Sequence, residues 1–256
     1  MPNRKTRDRQ LSKLAARRAA ERRKKRRQRG IVFGVAGLVA AIGFAVLLVA
    51  LLHGPKKATS ATFSPSPSPS PAEVACGGSV PSSALVKKPT FNQAPKMTID
   101  PKKTYTATMV TSCGTIQIKL LAKDAPIAVN SFAFLSKQHF YDGLIFHRIA
   151  KDPPVIQGGD PLGTGSGGPG YSFKDENNND LTYVKGVMAM ANSGPNTNGS
   201  QFFIMTADST TLPHDYTIFG KVIMGQDVVD AISRVPTQSE KPVNTVYILK
   251  VTISTS

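Results

Sequence analysis

The chain has 256 residues, room for one ordinary domain with appendages, and a formal net charge of +16 at pH 7. Residues 1–29 hold 14 Lys and Arg against Asp8 and Glu21, a net of +12, which leaves +4 for all the rest. The basic character belongs to a tail, so nucleic acid is not the expected partner of the folded part. Two cysteines and four histidines without C-x-x-C or H-E-x-x-H spacing argue against a structural metal site.

Residues 1–30 form the tail. Runs such as Arg22-Arg23-Lys24-Lys25-Arg26-Arg27 repel one another too strongly to fold freely. Residues 31–52 follow, 22 residues without a charge. At about 1.5 Å per residue this is roughly 33 Å of helix, against roughly 30 Å of hydrocarbon, so a single transmembrane anchor is expected. A cleaved signal peptide would have a shorter apolar region and a small-x-small site, which Val49-Ala50-Leu51-Leu52-His53-Gly54-Pro55 does not offer. The positive flank is N-terminal, so the tail is expected in the cytoplasm, against anionic lipid, with the C-terminal bulk outside the cell membrane.

Residues 53–103 are expected to be a linker and N-terminal extension. In Ser64-Pro65-Ser66-Pro67-Ser68-Pro69-Ser70-Pro71 every second residue lacks an N–H, so neither helix nor sheet ladder can form and the run is a semi-rigid spacer. The scattered apolar residues of 72–103 suit an extension that packs on the domain behind it. Basic tail, single span and Ser-Pro spacer together have the style of a Gram-positive bacterial membrane protein.

Residues 104–256 read as one folded domain. Tyr105–Met109 and Thr115–Leu121 alternate apolar and polar as strands of a hairpin around Ser112-Cys113-Gly114. Ala125–Gln138 has helical spacing, with Pro126 in the first turn and Asp124 as the expected cap. Short strand-like runs follow at Leu144–Ile149, Val155–Gln157, Gly186–Met190, Phe202–Thr206 and Phe219–Val222. Gly225–Ser233 reads as a second helix and Val246–Ile253 as a closing strand. Many short strands and two helices suggest an antiparallel barrel capped by helices.

Three blocks are too particular to be scaffold alone. They are Phe146-His147-Arg148-Ile149 leading to Val155-Ile156-Gln157-Gly158-Gly159-Asp160; Gly163-Thr164-Gly165-Ser166-Gly167-Gly168-Pro169-Gly170-Tyr171; and Met190-Ala191-Asn192-Ser193-Gly194-Pro195-Asn196-Thr197-Asn198-Gly199-Ser200-Gln201-Phe202-Phe203-Ile204. The second block matches G-x-G-x-x-G, but Pro169-Gly170 forbids the helix a dinucleotide site needs. In order and spacing these blocks resemble the cyclophilins. The resemblance covers residues 104–256 only.

The resemblance implies a mainly β fold, an eight-stranded antiparallel barrel capped by two helices, and a groove that binds an Xaa-Pro segment and speeds its cis/trans rotation. It implies no cofactor. The chemistry accounts for the residue types. Amide resonance sets a barrier of roughly 18–20 kcal/mol, and when the bond twists the proline nitrogen becomes a hydrogen-bond acceptor. A fixed donor aimed there stabilises the twisted state more than either planar isomer. By its place in Phe-His-Arg, Arg148 is that donor. Gln157 would hold Arg148 or the substrate carbonyl, and the main chain of Asn192 would grip the residue before proline. Phe203, Leu212, Val155 and Tyr216 would line the proline pocket, and Gln201, Ala191, Gly163 and Thr164 the adjoining groove. His147 is expected to be a buried, hydrogen-bonded structural histidine.

Three departures from the family pattern stand out. Pro154 occupies the place of a Phe expected on the pocket floor, and the approach from Arg148 is one residue longer than usual. Thr211 stands where many relatives have Trp, so cyclosporin binding is expected to be weak. Tyr216 replaces a pocket His. The alternative to an isomerase is a module that binds proline-containing segments, or acts as a chaperone, with little turnover. In an oxidising compartment Cys76 and Cys113 are expected to pair; two independent thiols are the alternative. A monomer is expected.

Overall fold

The computed structural model describes residues 73–177 and 181–256. The basic tail, the uncharged run 31–52 and the Ser-Pro spacer lie outside the described residues. Among the described residues no helix is long and apolar enough to cross a membrane.

The domain opens on a hairpin, β1 (Tyr105–Thr111) and β2 (Gly114–Leu120). Tyr105, Ala107, Met109 and Thr111 are buried on one face of β1, as are Ile116, Ile118 and Leu120 on β2. This is the period of two that puts alternate side chains in a core. Helix α1 (Pro126–Lys137) follows, with buried Ala128, Val129, Phe132 and Leu135. Next come β3 (Phe146–Lys151), β4 (Pro154–Gly158), β5 (Val187–Met190), β6 (Phe202–Met205) and β7 (Ile218–Met224). Helix α2 (Gln226–Ser233) buries Val229 and Ile232. A two-residue-strand hairpin, β8 (Thr237–Gln238) with β9 (Lys241–Pro242), precedes the last strand, β10 (Ile248–Thr255). That small hairpin has no apolar alternation and was not foreseen from the sequence.

The eight longer strands form one antiparallel sheet in the order β10-β1-β2-β7-β5-β6-β4-β3. It curls into a half-closed barrel. The two edges meet through an Ile145–Tyr247 bridge and main-chain bonds such as Phe146 N–H to Val246 (3.0 Å) and Ile248 N–H to Leu144 (2.7 Å). Inside, the rings of Phe132, Tyr141, Phe202 and Phe219 pack against one another at centroid distances of 4.9 to 5.9 Å.

Strands β5 and β6 are buried at every residue. The reason is a second apolar cluster on the outer face of the barrel: Val155, Val187, Ala189, Phe203, Met205 and Ile218, with Leu212 and Tyr216 packed against it. Alternate residues, Ile156, Met188, Phe202 and Ile204, face the main core. The continuous apolar run Phe202-Phe203-Ile204-Met205 thus serves two cores.

The start of α1 corrects one expectation. Ala125, not Asp124, is the N-cap residue, and it makes no side-chain cap bond. The first amides are taken instead by Glu176, 49 positions away, whose carboxylate accepts from Ile127 and Ala128 N–H at 2.9 Å each. A negative group there suits both the free N–H groups and the positive helix end.

Residues 73–103 wrap the barrel as an ordered strap. Cys76 and Cys113 are bonded to each other, and Val74 bridges to Thr245. Lys88 Nζ donates to the carbonyls of Ser83 (2.8 Å) and Asp142. Buried Asn130 on α1 accepts from Thr98 N–H (2.9 Å) and donates to the Lys96 carbonyl (3.0 Å).

Candidate active site

The outer apolar cluster carries a small cavity of about 180 Å³, lined by Arg148, Pro153, Val155, Gln157, Ala191, Asn192, Phe203, Leu212 and Tyr216. Phe203 and Tyr216 meet edge to face at 5.5 Å, an arrangement aromatic rings favour. Tyr216 is fixed through its backbone: its N–H donates to Tyr183 Oη (3.1 Å), and that hydroxyl donates to the Tyr216 carbonyl (2.8 Å). Pro153, Val155, Ala191, Phe203, Leu212 and Tyr216 give it apolar walls, and Arg148, Gln157 and Asn192 give it a polar side.

Arg148 is held from two sides. Its Nε donates to Glu240 Oε2 at 2.7 Å and its Nη1 to Gln157 Oε1 at 3.3 Å. Gln157 Nε2 then donates to Gln201 Oε1 (3.1 Å), and Gln201 Nε2 to the carbonyls of Gly165 (3.0 Å) and Gly167 (2.9 Å). The chain of bonds runs from the β8–β9 hairpin across the pocket mouth to the glycine loop. It orients the fork of Arg148 while leaving its other guanidinium N–H groups without a partner among the described residues. Asn192 Nδ2 donates to the Asp215 carbonyl (2.9 Å), and its Oδ1 accepts from Gly194 N–H (3.2 Å).

A larger groove of about 450 Å³ adjoins the pocket. Gln157, Ala191 and Asn192 line both. Its other walls are Gly165 to Tyr171, Ser193, Thr197, Gly199 to Gln201, and Thr90 from the strap.

Eight of the expected residues thus converge on the pocket: Arg148, Gln157, Asn192, Phe203, Leu212, Ala191, Tyr216 and Val155. Gln201 lines the adjoining groove. Two others do not join them. Gly163 faces Ile145 and a different cavity, beside Leu162 and the strap, and Thr164 lines neither. The cause is Asp160. Its buried carboxylate accepts from the amides of Leu162 (2.8 Å), Thr164 (2.9 Å) and Gly165 (2.5 Å), curling the loop so that Gly165 to Gly168 form the wall. Burial alone would raise the Asp160 pKa, but the N–H groups of Leu162, Gly165, Gly167 and Thr164 outweigh it and hold the carboxyl below its usual range.

The pocket floor also differs from expectation. Pro153, not Pro154, lines the cavity. Pro154 is a strand residue: it pairs with Lys151 and its carbonyl accepts from Thr206 N–H (2.9 Å). The extra residue is absorbed in the β3–β4 turn, which carries the Pro153 ring into the place expected to lack a wall. His147 is buried, as expected, yet neither ring nitrogen has a hydrogen-bond partner among the described residues. Burial lowers its pKa, Asp160 opposing and Arg148 reinforcing the shift. Glu240 and Pro153 were missed. Nothing in the local sequence marks Glu240, which stands 92 positions from its partner.

Residues 106–253 match the family described as cyclophilin type peptidyl-prolyl cis-trans isomerase/CLD, and the chain belongs to that family. Among its relatives is peptidyl-prolyl cis-trans isomerase A of Mycobacterium tuberculosis, 44% identical over 177 residues, covering 62% of this chain and 97% of that protein. Human peptidyl-prolyl cis-trans isomerase-like 1 is 46% identical over 145 residues, covering 55% of this chain and 87% of its own. A crystal structure of a cyclophilin type isomerase from Cryptosporidium parvum, 36% identical, aligns with a TM-score of 0.57 over 60% of this chain and 99% of its own. The same protein in the presence of the dipeptide Ala-Pro aligns with a TM-score of 0.56.

Proposed function

We propose that the chain is a peptidyl-prolyl cis/trans isomerase acting on Xaa-Pro bonds of extracytoplasmic polypeptides. The observation that carries this reading is the doubly tethered guanidinium of Arg148 at the edge of an apolar cavity walled by Phe203, Leu212, Tyr216 and Val155. The cavity takes the pyrrolidine ring. Arg148 donates to the proline nitrogen as the amide twists and loses resonance, an interaction stronger in the transition state than in either isomer. The Asn192 side chain is committed inside the protein, so any grip on the residue before proline comes from its main chain. No proton moves and no covalent intermediate forms.

The test is isomerisation of a short Xaa-Pro peptide by the full-length chain and by Arg148→Ala. A charge-assisted bond worth about 1.5–3 kcal/mol predicts a loss of about one to two decades in rate. If the folded wild type binds the peptide without accelerating it, the module that binds proline-containing segments takes its place. The observation on that side is Pro153, a smaller and stiffer wall than an aromatic ring.

An extracytoplasmic site is supported by the uncharged run 31–52 behind a basic flank and by the Cys76–Cys113 bond, which belongs to oxidising compartments. Protease added to intact cells removes residues 73–256 if the domain lies outside, and spares them if it lies within. Weak binding of cyclosporin is part of the same reading, because Thr211, in the place where many relatives have Trp, is exposed and lines neither the pocket nor the groove.

A further inference from the structure

The groove beside the proline pocket has one wall that the family portion of the chain does not supply. Thr90 lines it, yet lies ahead of residue 106, where the family match begins. The placement is firm. The next residue, Phe91, donates its N–H to the Pro169 carbonyl (2.8 Å) and packs its ring against Phe134 at 5.0 Å. Gly170, at φ +94°, has no room for a side chain, because a Cβ there would come within 2.5 Å of the Phe91 carbonyl and 2.6 Å of Thr90 Cγ2. Strap and glycine loop therefore meet backbone to backbone. Asn130 holds the strap on one side of this contact and the Cys76–Cys113 bond on the other.

Ala191 and Asn192 line both the pocket and the groove, so a peptide whose proline fills the pocket, and whose preceding residue lies at Asn192, continues upstream into the groove. Among the described residues no charged side chain lines the groove. A charged group entering it would exchange water for neutral polar partners, with no opposite charge to offset the lost hydration. Resting on the isomerase reading, we propose that the strap is part of the substrate site and that Thr90 is a specificity-determining residue. It narrows the groove so that small, uncharged side chains are preferred two or three residues before the proline.

The experiment uses the full-length chain, Thr90→Trp and Thr90→Ala, with two peptides sharing one Xaa-Pro core. One is blocked immediately before Xaa; the other carries two further alanines there. Thr90 is exposed, so neither substitution disturbs a core, and thermal melts check this. Thr90→Trp is expected to lower kcat/KM for the long peptide about tenfold or more and to leave the short one within about twofold. With leucines in place of those two alanines, Thr90→Ala is expected to raise kcat/KM above wild type and so to weaken the upstream preference for alanine over leucine. Equal loss on both peptides, or loss on neither, overturns the proposal, as does an upstream preference that Thr90→Ala does not change. If the wild type accelerates neither peptide, the isomerase reading itself fails and the wall falls with it.

Discussion

Arg148 is useful only if its fork is aimed, and two side chains aim it. The Arg148–Glu240 pair is partly exposed, with relative side-chain exposures of 32% and 46%, so its worth is about 0.2–1 kcal/mol. Glu240→Gln is therefore expected to lower kcat by no more than about fivefold, with KM and the melting temperature unchanged. The gap from wild type should narrow as salt rises. A fall in melting temperature with an unchanged kcat would show Glu240 to be structural, not a positioning residue. His147 makes a separate prediction. Its folded pKa lies below the ordinary 6.5, so the folded state favours the neutral ring. The stability this contributes is complete above about 6.5 and is lost as pH falls from there toward the folded pKa. Melting temperature is expected to drop between pH 7.5 and 5.5, and less steeply in His147→Gln. Equal slopes would assign the effect to another group.

At the scale of elements, the chain holds its helices and strap by contacts distant in sequence. Glu176 caps α1 from a loop, so Glu176→Ala leaves two amides at the helix start without their acceptor. A loss of about 0.5–2 kcal/mol in urea unfolding is expected, with Glu176→Gln closer to wild type. Gly143 sits at φ +79° against the backbone of Ser83 and Ala84, where no side chain fits. Gly143→Ala should lift the strap from the barrel. Limited proteolysis would then cut near Lys87 and Lys88 while the barrel stays intact; an uncut strap would show that the contact adapts.

At the scale of the whole molecule, one covalent bond ties the strap to the first hairpin. Cys76 and Cys113 are 37 positions apart, and closing a loop of that length removes about 4 kcal/mol of chain entropy from the unfolded state. Reduction of the full-length chain should destabilise the domain by about that amount, read from denaturant unfolding with and without reductant. Two thiols titrating with Ellman's reagent in a non-reducing preparation would contradict the bond itself.

What could be read from the sequence follows its local character. Period-two alternation marked β1 and β2, and helical spacing marked α1 and α2 to within a residue or two. The family blocks brought Arg148, Gln157, Asn192 and Phe203 to one site, because in such a motif spacing along the chain stands for position in the barrel. The rest needed the tertiary structure. Which proline reaches the pocket depends on where the β3–β4 ladder ends. Which glycines form the groove wall depends on a buried carboxylate collecting amides. Glu240, Glu176 and Thr90 reach their partners only after distant segments have packed together, and no periodicity or local spacing encodes such a meeting.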